Sequence, residues 1–453
     1  MSTRTPRPRL RRGAPLALLG IAGLAGAALT GCAPGAAAPA ASTDVQVSTQ
    51  LTSDPVQLTI ADETGFPVTD KLTEEFTKQH PNVTFTINRD TFQNLTANAP
   101  KLLASATPPD LIRLPTLGDT VRDGLVANLD PYFDAYGWSA WPAAQLAPLR
   151  MTSDGVRGSG SLYQLGLGYS VTGIYMNTTL AQKAGIAAPP QTLDELEADL
   201  AKAKAAGILP IMAGDKDGVV NFVVQAAMNQ YVDKDQFLKW MFTEPGATFD
   251  EPGNVQGAEL VRKWADAGYF PSDINAIDYF TFTSRFSQGE GLFTFNGNWE
   301  AANYQKALGS NVSFFLMPPA QAGANHVAMG AANSFSVAAK SKHINEVAYF
   351  LNWVHTDPTA RQIVVDVTGA SPGGDPSMQL PTVQSGSLIE NALKMSAQIG
   401  AENGQVDFMA NTTAGIYAGS IIPESQLLVT SQITGKEFVD RVQAFYEKEG
   451  GGK

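Results

Sequence analysis

The chain has 453 residues, too many for one ordinary domain; 44% are hydrophobic and 16% charged, enough to bury a large core and too apolar for disorder. Lys plus Arg number 31 against 43 Asp plus Glu, a net charge of −12, and five of the arginines (Arg4, Arg7, Arg9, Arg11, Arg12) precede Cys32. The acidic remainder lacks the cationic footprint of a nucleic-acid binder, and one cysteine with four scattered histidines (His80, His326, His343, His355) argues against an internal disulfide, a zinc–thiolate cluster or other metal chemistry.

Met1 to Arg12 is basic and Gly13 to Thr30 is apolar, the n-region and h-region of a secretory signal. The apolar run is at the short edge for a membrane span, and Gly20, Gly23 and Gly26 weaken it as a helix. Arg11-Arg12 hints at twin-arginine export, but the residues after it do not extend that pattern, and ordinary secretion is preferred. Leu29-Thr30-Gly31-Cys32 looks like a bacterial lipobox, whose small residue before the cysteine admits the signal peptidase and whose thiol takes a diacylglycerol. The plainer alternative is a buried structural cysteine. On the lipobox reading, residues 1–31 are a signal peptide and Cys32 anchors an extracytoplasmic protein to the cell membrane. Residues 32–55, rich in Ala, Pro, Ser and Thr without periodicity, read as a flexible tether.

The body opens β-α-β. Val56 to Ile60 alternates as a strand; Val68, Leu72 and Phe76 repeat every four residues as a helical stripe that Pro81 stops; Val83, Phe85 and Ile87 alternate again. This implies a mixed sheet covered by helices, an α/β fold. A polar segment (88–93), a helix over 95–105 and a turn at Pro108-Pro109-Asp110 into a third strand follow. Thr192-Leu193-Asp194-Glu195 has capping-box spacing, and its helix runs to about Ala206, ended by Gly207. Further helices are predicted near 219–232, 254–267, 283–288, 345–355, 358–366 and 435–448, and strands near 173–177, 292–295, 312–316 and 334–338.

The order of segments resembles the family 1 extracellular solute-binding proteins, the maltose-binding-protein-like lipoproteins that feed ABC importers. The resemblance is carried in family order by 72–83, by Pro109-Asp110-Leu111-Ile112-Arg113-Leu114, and by 124–131, 173–177 and 184–195. Phe295-Asn296-Gly297-Asn298-Trp299, 347–357 and 434–442 complete it. It implies a two-lobed periplasmic-binding-protein-like fold with ligand in the cleft between lobes. Lobe 1 would be 56–167 with 335–369, and lobe 2 would be 171–332 with 374–450. The chain would cross near Gly168-Tyr169, Asn333-Ser334 and Gly369–Gly374, small residues suited to a hinge. It also implies a monomer that hands a carbohydrate to ABC permease subunits, with no cofactor, no metal and no membrane contact beyond the lipid.

A sugar site needs flat aromatic rings and polar side chains on strand ends and loops. Trp299 follows a predicted strand, looks like the stacking tryptophan of maltose-binding protein, and is preferred as a ligand residue over a core one; Gly297 is read as allowing a tight turn. Asn298 and Glu300 beside it are open to a ligand role or to a helix-start role. Asp62 and Glu63 are either ligand contacts or a solvated turn. Phe92 is a loop aromatic or is tucked under the lobe. Arg113 faces the cleft or makes a structural ion pair. Tyr169 and Asn333 lie at crossings, as ligand contacts or hinge structure, and Tyr417 lies near the family's late aromatic contacts. Leu114 and Leu117 stand near places where the family has a tryptophan and an aspartate, so maltose itself is not implied. Trp138, Trp141, Trp240, Trp264 and Trp353 are assigned mainly to packing. The competing classes are a secreted glycoside hydrolase using Asp62 and Glu63 as acid and base, and an adhesive lipoprotein. No catalytic motif supports the first, and no repeat supports the second. Within binding proteins, a polyol, amino-sugar or other polar solute is the alternative to a sugar.

Overall fold

The computed structural model describes residues 46–452. The signal-peptide and lipobox readings, and the tether as far as residue 45, fall outside them. Part of the stretch ahead of the first strand lies on the body. Ser48 N–H donates to Asn345 Oδ1 (3.0 Å), Asn345 Nδ2 donates to Gln46 O (3.1 Å), and Leu51 packs on the core.

Strand β1 (Val56–Glu63) is flanked by parallel β2 (Val83–Asp90) and β3 (Leu111–Arg113). The helix Val68–Gln79 buries Val68, Leu72 and Phe76, as their spacing predicts. The helix read as starting at 95 starts instead at Phe92: the Thr91 side chain accepts the Asn94 N–H (3.3 Å) and caps it, so 91–93 are the cap and first turn and not a loop. A short hairpin, β4 (Arg150–Met151) and β5 (Ser161–Leu162), leads into the long β6 (Gln164–Asn177). Then come β7 (Phe293–Gly297), β8 (Val312–Phe315), β9 (Ala328–Val337) and β10 (Gln405–Val406).

β6 and β9 thread both halves of the molecule. β6 pairs antiparallel with β9 over Gln164–Val171, then with β7 and β8 over Thr172–Asn177. β9 meets β3 through Phe335–Val337 and β10 through Ala328 and Met329. One apolar cluster, including Leu58, Phe76, Trp138 and Phe350, fills the β1–β3 half; another, including Val224, Trp240, Trp264 and Phe293, fills the β7 half. All five tryptophans assigned to packing are buried. Where the halves meet, β6 shifts register between Gly166 and Tyr169, with Gly168 at φ +136°. A third stretch joins there: Tyr169 and Ser371 exchange backbone hydrogen bonds (2.7 and 3.1 Å).

His355 sits buried under this junction, Nε2 facing Gly166 O (2.7 Å) and Nδ1 facing Pro372 O (2.8 Å), with Arg361 close by. Burial pulls its pKa from 6.5 down to about 4, against the two carbonyl oxygens, which favour the protonated ring. The unfolded chain therefore takes up the proton first, and stability is expected to fall as pH drops from about 6.5 toward 4, by roughly 2 kcal/mol at pH 5. Urea unfolding of wild type and His355→Asn across that range checks this. The variant should lose that part of the slope, and identical slopes would contradict it.

Candidate ligand-binding cleft

A cavity of about 460 Å³ lies between the halves, with Ser170 of β6 and Asn333 of β9 at its floor. The β1–β3 half contributes Glu63, Phe66, Phe92 and Arg113; the other half contributes Phe222, Tyr279, Trp299, Glu300 and Tyr417.

Trp299 is built as a platform. Its indole lies so flat on Gly297 that a Cβ there would overlap the ring. Gly297 has φ −88° and ψ 164°, an extended conformation any residue adopts, so the glycine serves the indole's close approach and not a tight turn. The indole N–H donates to Tyr279 Oη (2.7 Å), and the Tyr279 hydroxyl donates to Glu300 Oε1 (2.6 Å). Asn303 Nδ2 donates to Glu300 Oε2 (2.9 Å), and the Phe222 ring stands edge-on to the indole at 5.9 Å. Burial raises the Glu300 carboxyl above the usual carboxylate range, opposed by these hydrogen bonds from Tyr279 and Asn303. The ring is half-buried and lines the cavity, so its uncovered surface is available for stacking.

On the facing wall, Arg113 does both things weighed for it: it lines the cavity, and it pairs with Glu63 (3.4 Å) while donating to Ser334 O (3.1 Å). Its guanidinium lies 5.8 Å from the Phe66 and Phe335 ring centres. Burial raises the Glu63 carboxyl, and Arg113 draws it back. Gln93 Nε2 reaches across the mouth to donate to Asp217 O (3.0 Å), and Tyr417 Oη donates to the same oxygen from within its own half (2.6 Å). Tyr417 opens a π-helical turn, Tyr417–Ile421, that turns its ring into the wall.

Three buried polar atoms of the cavity's lining side chains have no protein partner: Arg157 Nε, Asn333 Nδ2 and Asp217 Oδ1. Buried polar groups in native folds are almost always satisfied, so two donors and one acceptor left unpartnered in side chains that line one cavity mark places where a ligand or water that both accepts and donates would complete the bonding.

Of the sequence-derived candidates, Glu63, Phe92, Arg113, Trp299, Glu300, Asn333 and Tyr417 line the cavity; Asp62, Tyr169 and Asn298 do not. Asp62 is buried, accepts the Glu63 N–H (2.8 Å) and pairs with Arg89 (3.1 Å), knitting β1 to β2. Asn298 is spent on structure: Oδ1 accepts the Val171 N–H (3.2 Å) and Nδ2 donates to Gly369 O (3.1 Å). The Tyr169 ring is packed over Gly373, on the far side of the floor beside His355. Asp62 and Glu63, weighed as a hydrolase's acid and base, are thus held by Arg89 and Arg113, and only Glu63 reaches the cavity. Phe222, Tyr279, Arg157 and Asp407 line it without having been singled out in the sequence. Among the described residues, no helix is long and apolar enough to cross a membrane and no cluster of His, Cys, Asp and Glu could hold a metal.

The family described as bacterial extracellular solute-binding protein matches residues 71–391. A putative binding protein of Brucella abortus is 24% identical over 243 residues, covering 52% of this chain and 56% of that one. The multiple sugar-binding protein of Streptococcus mutans is 25% identical over 224 residues, 46% of this chain and 50% of that one. The matched part therefore spans about half the length of these curated relatives. Among solved structures, a chitin-oligosaccharide-binding protein superposes with TM-score 0.70 at 17% identity, covering 88% of this chain and all of that one (100%). A raffinose complex of the solute-binding protein RafE gives 0.66 at 16%, covering 87% and 99%. At these identities the likeness is one of fold, and the fold is the two-lobed one, with β6 and β9 running between the lobes. With the match extending over most of the body, the chain belongs to the bacterial extracellular solute-binding protein family.

Proposed function

We propose that the protein captures a sugar or short oligosaccharide in the interlobe cavity and delivers it unaltered to an ABC permease. The observation that carries this is the pairing, in one cavity, of a preset aromatic platform (Trp299 on Gly297) with unpartnered donors and an unpartnered acceptor in the lining side chains. A saccharide presents an apolar C–H face to the ring and hydroxyls that donate and accept. The cavity's 460 Å³ falls within the roughly 300–1,000 Å³ of small-ligand pockets. The sugars named for the Streptococcus relative and for the chitin-oligosaccharide and raffinose binders point the same way.

In this reading 56–167 with 335–369 forms one lobe and 171–332 with 374–450 the other, hinged at the three crossings. Ligand touching both walls favours the closed state by its differential affinity, with no chemical step. A thermal-shift screen over mono- and oligosaccharides, with product analysis of each mixture, tests it. A binder raises the melting temperature without turnover. Released product would make the protein an enzyme, and a flat response across the panel would remove the sugar. The protein is also proposed to be a monomer anchored through a lipid on Cys32. Cys32→Ser is expected to move it from the membrane fraction to the soluble one, and retention at the membrane would refute the anchor.

A further inference from the structure

We infer that Arg157 is a ligand-contacting residue that also clasps the two lobes, so that one side chain links saccharide affinity to closure. This rests on the solute-binding reading above and adds a residue and a coupling to it.

The β4–β5 hairpin is rooted in the first lobe. Leu129 N–H donates to Leu162 O (2.7 Å), Leu162 N–H donates to Asp130 Oδ1 (3.1 Å), and Arg150 pairs with Asp130 (3.2 Å). Its loop reaches over to the second lobe. Arg157 N–H donates to Phe242 O (3.2 Å), and its guanidinium lies 5.6 Å from the Phe242 ring centre. One terminal nitrogen pairs with Asp407 Oδ2 (2.5 Å) and the other donates to Asn411 O (3.0 Å). The receiving carboxylate is fixed from its own side: Asp407 Oδ1 accepts from the Phe408 N–H (2.7 Å) and Asn411 Nδ2 (3.0 Å), and Gln225 Nε2 donates to Asp407 O (2.7 Å).

The fork is incomplete at one place. Arg157 is 5% exposed and lines the cavity, yet its Nε–H has no partner. The donors of a buried guanidinium are rarely left unused. An ether or hydroxyl oxygen of the ligand supplies the acceptor. A ligand carboxylate in the same place would lie against Asp407 and be repelled, so the clasp selects neutral oxygen. When the lobes part, Arg157 leaves with the hairpin and Asp407 stays with Gln225, and water solvates both. Closure therefore buries an ion pair whose last hydrogen bond the ligand completes, which is how occupancy favours the closed form.

The experiment is calorimetry with maltose, raffinose and chitobiose, plus small-angle scattering with and without sugar, on wild type, Arg157→Gln, Arg157→Lys and Asp407→Asn. Melting curves establish that each variant is folded. Arg157→Gln should weaken the tightest of the three sugars tenfold or more and enlarge the radius of gyration. Asp407→Asn, on the opposite lobe, should enlarge it too. Arg157→Lys keeps the charge but lacks the Nε–H, so it should regain compactness and not affinity. Affinity within twofold of wild type in Arg157→Gln, or full affinity in Arg157→Lys, overturns the inference. If wild type binds none of the sugars, the sugar reading fails separately. Sugar-free scattering then decides the clasp: expansion in Arg157→Gln supports it, and equal radii overturn it.

Discussion

Replacing Trp299 with alanine is expected to weaken saccharide binding by about 2–4 kcal/mol, from roughly thirty-fold to several hundred-fold, as for a buried aromatic anchor. The ring lines the cavity and is held at three points: its face on Gly297, its N–H on Tyr279, its edge against Phe222. Such fixing means little rotamer entropy is lost when a sugar stacks on it. Truncation removes the stacking surface and leaves the Tyr279 hydroxyl without its donor. The fold should survive, because the ring is only half-buried and the second lobe's core is built elsewhere, around Trp240, Trp264 and Phe293. Isothermal calorimetry with the best ligand of the thermal-shift screen measures the loss. Unchanged affinity would return Trp299 to the packing residues.

The parts of this molecule that sequence reveals are those whose cause is local. Period two in Val56–Ile60 and period four in Val68, Leu72 and Phe76 follow from strand and helix geometry alone, and both elements stand where the periods put them. The Thr192 cap is equally local: its side chain accepts the Glu195 N–H (3.2 Å). Helices Lys234–Met241, Ala301–Leu308, Leu388–Ala401 and Ile422–Val429 were not anticipated. Ala301–Leu308 follows directly on the Trp299 turn and buries only Ala301 and Tyr304, too few positions to show a period.

Within the site the same division holds. Asp62 is separable from Glu63 by strand parity, since it shares the buried face with Leu58 and Ile60 while Glu63 turns the other way. What no local pattern carries is which distant loops meet. Tyr279 and Phe222 begin or sit on helices far from Trp299 in sequence, and Arg157 meets Asp407 across 250 positions. The first two encounters are made by the packing of helices within the second lobe, and the last by the way β6 and β9 join the lobes. Trp299 was legible because a glycine, two asparagines and a tryptophan crowd one strand end. The reason for the glycine was not, because it lies in the indole's position and not in the backbone angles.

Gly297→Ala is expected to reproduce most of the Trp299→Ala loss, again about 2–4 kcal/mol in affinity, without touching the ligand itself. The backbone there accepts alanine, with φ −88° and ψ 164°. It cannot retreat, since Gly297 pairs with Thr172 of β6 and its carbonyl accepts the Tyr175 hydroxyl (2.9 Å). The new methyl group therefore displaces the indole, breaks its bond to Tyr279 and spoils the platform. Stability should fall by only about 1–3 kcal/mol, as for a small overpacking change. The decisive measurement is the double variant. If the glycine acts through the indole, Gly297→Ala adds almost nothing once Trp299 is alanine, because there is no ring left to displace. If the two losses sum, Gly297 works through the strand and the preset platform is not what the cleft uses.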